Sequence, residues 1–248
     1  MLLVVVFIYY VSLCQEVNCL EIILAQNISE SIINSLTHLG FNVIKGAYNS
    51  ALLAGLNCHP DMQIVKIGTE FICDPSLYDY YQKVLPACCN LIPGDTLCTC
   101  NYPDDIAYNV KVIGDKVFHN FKYTDSIVNK FISDMKLINV SQGYSGCSIC
   151  SVCDRGIITA DRTIAKKAIE NGIDALLITP GSIILTGFDY GFIGGASFFL
   201  ENTVYFFGSI SNHPDYEEII DFCKSHGAEI SILGDEPLTD YGSAVVVG

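Results

Sequence analysis

Three residues of this chain have the types that a thiol-dependent hydrolase needs: Cys147, His59 and Asp61. Such chemistry requires a thiolate to attack carbon, a proton shuttle for the leaving group and an anionic clamp for a cationic substrate. Cys147 is read as the nucleophile, His59 as the shuttle and Asp61 as the clamp, with Asp105 a second candidate for the clamp. Asn109 and Ser243 are read with Asp105 as ligand-binding residues. A plainer reading stays open beside this one. Cys147 can be a buried strand residue, and His59 with Asp61 can be a loop cap before a strand.

The twelve cysteines also raise metal and thiol chemistry. Cys147, Cys150 and Cys153 form a Cys-x-x-Cys-x-x-Cys run. On a strand, alternate side chains face opposite ways, so Cys150 points away from the other two and convergence on one ion fails. Cys98 and Cys100 could join Cys88 or Cys89, since structural zinc takes four sulfurs. No second matched Cys-x-x-Cys pair supports this, and neither a metal nor a cofactor is expected. Cysteines inside apolar runs, such as Cys73, Cys150 and Cys223, behave as small hydrophobes. His213-Pro214-Asp215 repeats the tripeptide His59-Pro60-Asp61, and its histidine is read as a capping or surface residue at a helix start. His119 is a weaker channel candidate. The chain contains no phosphate-binding glycine loop, metalloprotease helix motif or serine nucleophile elbow.

Composition narrows the partners. With 13 basic against 27 acidic residues the formal net charge is −14. Such a surface repels phosphate backbones, and no basic cluster offsets it, so nucleic acid is excluded as a partner and a small cationic ligand is favoured. A chain of 248 residues that is 50% hydrophobic and 16% charged folds rather than staying disordered. Residues 1–18 are set apart as an apolar N-terminal segment, either a signal or a miscalled start, ahead of a single domain over 19–248. The run Leu2 to Leu13 is too short to span a bilayer. No Lys or Arg precedes it and no small residue marks cleavage, so a cytoplasmic protein is expected without a stable membrane span. No protein partner can be named.

The elements that must position these residues recur along the chain. A unit of roughly 50 residues repeats, a period that signals blades or arrays. Cys147 to Cys153 and Ile157 to Thr159 form a hairpin about the Asp154-Arg155-Gly156 turn. Asp161 caps a helix whose apolar face is Ile164, Ala165, Ala168 and Ile169, and Gly172 stops it before the strand Ala175 to Ile178. The same hairpin–helix–strand order recurs from Ala196, with Ser211 or Asn212 as helix cap, and less regularly from Tyr108 and from Gln63. The copies ending at Gly191 and Gly242 close alike, on Asp189-Tyr190-Gly191 and Asp240-Tyr241-Gly242. A fifth copy is split between the front of the chain, Ile22 to Ile44, and its back, Ala244 to Val247. The fold class expected is therefore α/β: a five-bladed β/α propeller of pseudo-fivefold ββαβ units. Pairing of the C-terminal and N-terminal strands would close the ring and remove exposed edges. In such a ring the first strand of each blade starts near the axis. That gathers His59, Asp61, Asn109, Cys147, Cys150 and Ser243 around one pocket.

Several segments carry a resemblance: His59-Pro60-Asp61, Pro103 to Asn109, Tyr123-Thr124-Asp125, Gln142 to Cys147, Ile158 to Asp161, Asn212 to Tyr216 and Gly234 to Asp240. From about Glu21 onward the chain resembles a bacterial family of unknown function, common among Clostridia-like Firmicutes and assigned to the pentein, or guanidino-group-modifying-enzyme, fold. The resemblance implies the five-bladed fold. The wider superfamily includes arginine and agmatine deiminases, amidinotransferases and dimethylarginine hydrolases, which use a cysteine, a histidine and acidic residues near the axis. It also includes a non-catalytic ribosomal anti-association factor, so the fold alone grants no activity. In the enzymes the nucleophilic cysteine lies in the last blade. The corresponding stretch here, Gly242-Ser243-Ala244-Val245, has none, and the standard mechanism does not transfer as it stands. The expectation is an uncharacterised protein that binds a guanidino- or amide-bearing ligand in an axial pocket. If it is an enzyme, it is a cysteine-dependent hydrolase of C–N bonds. The alternatives are a non-catalytic interaction protein and a cysteine-rich thiol or metal-binding protein.

Overall fold

Alternating apolar runs, punctuated by turn residues, build five three-stranded sheets in the computed structural model, which describes residues 20–248. The expectations for residues 1–18 lie outside the described residues. In chain order the elements are β1 (Leu20–Leu24), α1 (Glu30–His38), β2 (Phe41–Lys45), β3 (Ile64–Ile67), β4 (Glu70–Cys73), α2 (Tyr78–Val84) and β5 (Asn90–Pro93). They continue with β6 (Lys111–Ile113), β7 (Lys116–His119), α3 (Ser126–Phe131), β8 (Lys136–Asn139), α4 (Ser145–Ser148), β9 (Cys150–Cys153), β10 (Gly156–Thr159), α5 (Arg162–Glu170) and β11 (Asp174–Leu177). The last are β12 (Ser197–Leu200), β13 (Thr203–Ser209), α6 (Tyr216–Ser225), β14 (Glu229–Pro237) and β15 (Val245–Val246).

Four sheets share one wiring: an antiparallel hairpin, then a helix that returns the chain to a parallel third strand. The helix makes the parallel pairing possible, because a tight turn cannot return the chain in the same direction. In the remaining sheet β1 pairs parallel with β2, and β15 from the far end of the chain pairs antiparallel with β1, Ile22 opposite Val246. That sheet is assembled from both ends of the described chain.

Local chemistry explains the helix starts. Asp125 accepts from the backbone N–H groups of Ile127 and Val128, and Asp161 from those of Thr163 and Ile164, satisfying donors that a first helical turn leaves free. Asp74 does the same for Ser76. Each helix then lays its apolar stripe on its sheet: Ile32 and Leu36 of α1 against Ile22 and Leu24, and Ile164 and Ala168 of α5 against Ile157.

Three expectations differ from the structure. The strand read from Cys147 begins only at Cys150, because Ser145–Ser148 forms one helical turn. The strand read from Tyr108 begins at Lys111. The last helix begins at Tyr216 behind Asp215 rather than behind Ser211 or Asn212, because the His213-Pro214 turn intervenes. Among the described residues no helix is long and apolar enough to cross a membrane.

Candidate functional site

His59-Pro60-Asp61 enters the site as a short 3-10 turn, Pro60–Met62, in which Met62 donates its N–H to the His59 carbonyl at 3.2 Å. The turn docks on the C-terminal tail, where the Asp61 N–H donates to the Gly242 carbonyl at 3.3 Å. Gly242 has φ +73°, and a Cβ there would run into the His59 side chain, so glycine is required on both counts.

Cys147 is presented by α4, whose backbone is held by Asn109. The Asn109 Oδ1 accepts from the Gly146 N–H at 2.7 Å and from the Cys147 N–H at 3.4 Å. Its amide Nδ2 donates toward the Cys147 Sγ at 3.2 Å and the Asp61 carbonyl at 3.2 Å. Asn109, wholly buried, therefore ties the cysteine turn to the aspartate turn.

The thiol of Cys147 donates to Asp61 Oδ2 at 2.9 Å. One ligating atom each from His59, Asp61 and Cys147 lies within 4.8 Å of the others, the one such group of three found among the described residues and the one that could hold a metal ion. Cys88, Cys89, Cys98 and Cys100 form no comparable group, and the ten described cysteines are all free. A fourth residue completes the cluster. Asp240, 3% exposed, places Oδ1 3.8 Å from His59 Nδ1 and is itself held by the N–H groups of Phe192 (2.8 Å) and Gly242 (2.9 Å). Asp240 is not among the site residues expected from the sequence, where it figures only in a repeat ending and a family-like segment. The signal that could have found it is the shared ending of two repeats, Asp189-Tyr190-Gly191 and Asp240-Tyr241-Gly242.

The electrostatics are those of acids buried together. Burial pushes the Cys147 thiol well above its ordinary value, and the nearby charges of Asp61 and Asp240 push it the same way. Burial also raises Asp61, opposed chiefly by His59, and raises Asp240, again opposed by His59. The thiol is thus protonated at neutral pH. His59 Nδ1 and Asp61 Oδ1 are buried without a hydrogen-bond partner. Buried polar atoms are nearly always paired, so these two are free to bond a ligand. Asp105 Oδ1, Ser148 Oγ and His213 Nε2, outside the cluster, are also unpaired.

Two cavities meet at this cluster. One, of about 410 Å³, is lined by Asp61, Ser243, Gly146 and Lys111. Asp61 is half-buried and lines this cavity. Burial lowers the pKa of the Lys111 ammonium, with Cys150 and Asp61 opposing. The other cavity, of about 220 Å³, is lined by Cys147, Asp240 and a wall of aromatic residues. The Cys147–Asp61 contact stands between the two.

The other expected residues fall as follows. Ser243 lines the larger cavity, with φ +59° and its hydroxyl donating to the Ser197 carbonyl at 2.8 Å. Asp105 lines neither cavity; its Oδ2 accepts from the Tyr144 hydroxyl at 2.7 Å, and Tyr144 lines the smaller one. His119 is structural. Its ring bonds the Thr124 hydroxyl at 2.6 Å and the Ile106 carbonyl at 3.0 Å, and burial lowers its pKa to about 4. His213 is buried rather than a surface residue, and its Nδ1 accepts from the Asp215 N–H at 3.1 Å.

A model of the Family of unknown function (DUF6873) matches residues 23–245. No curated protein matches the sequence. Solved structures match the fold. Dimethylarginine dimethylaminohydrolase from Pseudomonas aeruginosa, complexed with citrulline, is 7% identical with TM-score 0.51, covering 91% of this chain and 98% of that one. An amidinotransferase of saxitoxin biosynthesis from Microseira wollei is 11% identical with TM-score 0.54, covering 88% and 79%. Agmatine deiminase of C. jejuni is 8% identical with TM-score 0.53, covering 86% of each chain. The chain therefore has the mixed α/β fold of the pentein enzymes.

Proposed function

Because the chain belongs to this family of unknown function, DUF6873, it inherits no activity, and we propose one from the site: cysteine-dependent hydrolysis of a C–N bond in a small guanidino, amidine or amide compound. The observation that carries this reading is the Cys147 thiol 2.9 Å from a half-buried Asp61, with buried His59 and Asp240 beside it, where two cavities meet. The structural relatives include a dimethylaminohydrolase, an amidinotransferase and an agmatine deiminase, which favours a guanidino-type substrate. We further read the five sheets as blades of a closed ring with this cluster on its axis. The ten free cysteines suit a reducing cytoplasm.

The chemistry follows from charge. An amidinium or guanidinium entering between Asp61 and Asp240 neutralises the two carboxylates that hold the thiol proton in place. The thiol pKa then falls, the proton passes to His59, and the thiolate attacks the central carbon. A C–S bond forms, the C–N bond breaks, and the departing amine takes its proton from His59. Water, deprotonated by the same imidazole, then displaces the thiolate and restores the thiol. Asn109 is a positioning residue: it holds α4 and donates to the sulfur. Ser243 and Asp105 act as wall residues, the latter through Tyr144.

The test is a panel of guanidino compounds, amidines and amides assayed for ammonia or amine release, with wild type against Cys147→Ala, alongside labelling by 2-chloroacetamidine. Turnover and labelling confined to the wild type are expected. Release that survives Cys147→Ala would defeat the reading. Zinc near one per purified chain, lost on His59→Ala, would replace it with a metal-binding role.

A further inference from the structure

We infer that the substrate carries its cation on an uncharged alkyl or aryl group without a carboxylate, because the cavity beside Cys147 is aromatic and anionic and offers no positive residue. This rests on the reading of Cys147, His59 and Asp61 as the reacting group. It concerns the part of the ligand that does not react.

The smaller cavity holds about 220 Å³, below the roughly 300–1,000 Å³ of clefts for drug-sized ligands, so its occupant is small. Its charged lining residues are Asp189 and Asp240; no Lys, Arg or His lines it. Asp240 lies deep against His59, whereas Asp189 is exposed at the mouth. The two are equivalent residues of successive repeats, so one motif supplies negative charge at both ends of the cavity.

Between them runs an aromatic wall. Tyr144 and Phe192 stack with centroids 6.3 Å apart at 29°, and Tyr190 meets Phe192 edge-on at 6.3 Å. Phe188 and Tyr190 are 39% and 41% exposed, large apolar surfaces left open at the cavity rather than packed in the core. Aromatic faces attract cations and cover alkyl or aryl groups. A carboxylate in the same place would lose its hydration, find no donor of opposite charge and face Asp189. The cation that could have met it, Lys111, lines the other cavity on the far side of the Cys147–Asp61 contact.

The experiment compares butylguanidine with 4-guanidinobutyrate by calorimetry on the full-length protein. The two ligands share the guanidinium and three methylenes and differ by a methyl against a carboxylate. Benzamidine serves as an aryl cation. Butylguanidine and benzamidine are expected to bind, with 4-guanidinobutyrate at least about 30-fold weaker. Asp189→Lys, at an exposed position, is expected to bring the guanidine pair within about threefold while the protein melts normally. Equal or tighter binding of 4-guanidinobutyrate by wild type, lost in Asp240→Asn, would overturn the inference and leave the proposed reaction standing. An unchanged preference in Asp189→Lys would also overturn it. Failure of all three ligands at millimolar concentration would remove the proposed reaction and this inference together.

Discussion

His59-Pro60-Asp61 and His213-Pro214-Asp215 are the same three residues in two settings. Each opens a helical turn, with the residue after the aspartate donating its N–H to the histidine carbonyl, at 3.2 Å for Met62 and 3.1 Å for Tyr216. They part at the aspartate N–H. In the second copy the Asp215 N–H donates to the His213 ring, and the Asp215 carboxylate is occupied by the backbone N–H and hydroxyl of Thr179. The imidazole Nδ1 and the carboxylate are engaged in holding a turn, while His213 Nε2 stays unpaired. In the first copy the Asp61 N–H donates to the Gly242 carbonyl, so His59 Nδ1 is not captured by its own turn and faces Asp240. The Asp61 carboxylate then meets a thiol instead of a loop backbone. The tripeptide's His59 Nδ1 and Asp61 carboxylate are left to face other groups here because the C-terminal tail takes over its structural hydrogen bond.

Substitutions can break that comparison, and the largest effects belong to the first copy. Cys147→Ala is expected to abolish 2-chloroacetamidine adducts in intact-mass spectra. His59→Ala is expected to lower the labelling or turnover rate by about 100-fold or more, in the range of general acid–base contributions. His213→Ala should leave the same rate within about twofold; an equal loss at both histidines would erase the distinction. Gly242→Ala tests the tail directly. Its Cβ would displace His59 from a backbone at φ +73°, so labelling should slow at least about tenfold with a stability loss of about 1–3 kcal/mol in urea melts.

Stability should move in opposite directions at the two aspartates. Asp215→Ala removes the Thr179 tether and is expected to cost about 1 kcal/mol, lowering Tm by about 2–4 °C. Asp61→Asn is expected to stabilise by about 1 kcal/mol at pH 7, because burial raises the Asp61 pKa and its ionised form disfavours the fold. Between the unfolded carboxylate's value of 3.8 and the raised folded value, the folded chain keeps a proton that the unfolded chain releases, so stability falls as pH rises. The advantage of the Asp61→Asn variant should therefore vanish below that window, a result that thermal melts across pH would show. Finer still is the thiol. Because its pKa lies well above 9.0, alkylation of Cys147 by neutral iodoacetamide should keep accelerating as pH rises past 9, and a bound amidinium should shift that rise to lower pH. A rate that levels off near neutral pH would contradict the buried, acid-flanked thiol.

The repeating hairpin–helix–strand units are legible in the sequence because the forces that define them act over a few residues. Asp125 and Asp161 reach N–H groups two and three positions ahead, and Gly172 ends its helix with its own positive φ. The pairing of the last strand with the first was legible too, since the split fifth unit lacked a partner. Boundaries were less so: Cys147 reads as strand from its apolar run, yet Asn109 captures the Gly146 and Cys147 N–H groups and curls them into a helical turn.

By itself, then, the sequence determined the elements, their order and the residue types available for chemistry. The repeat also brought His59, Asp61, Asn109 and Cys147 to one expected pocket, and tertiary structure decided which of their atoms meet there and added Asp240. Asp61 and Cys147 are 86 positions apart, and Asp240 reaches His59 from the opposite end of the chain. No short-range periodicity encodes such contacts. They arise where the turn at 59–61, the turn at 145–148 and the tail at 240–243 pack together, and glycine at 242 lets the backbone come close enough for the carboxylates and the thiol to share one buried space.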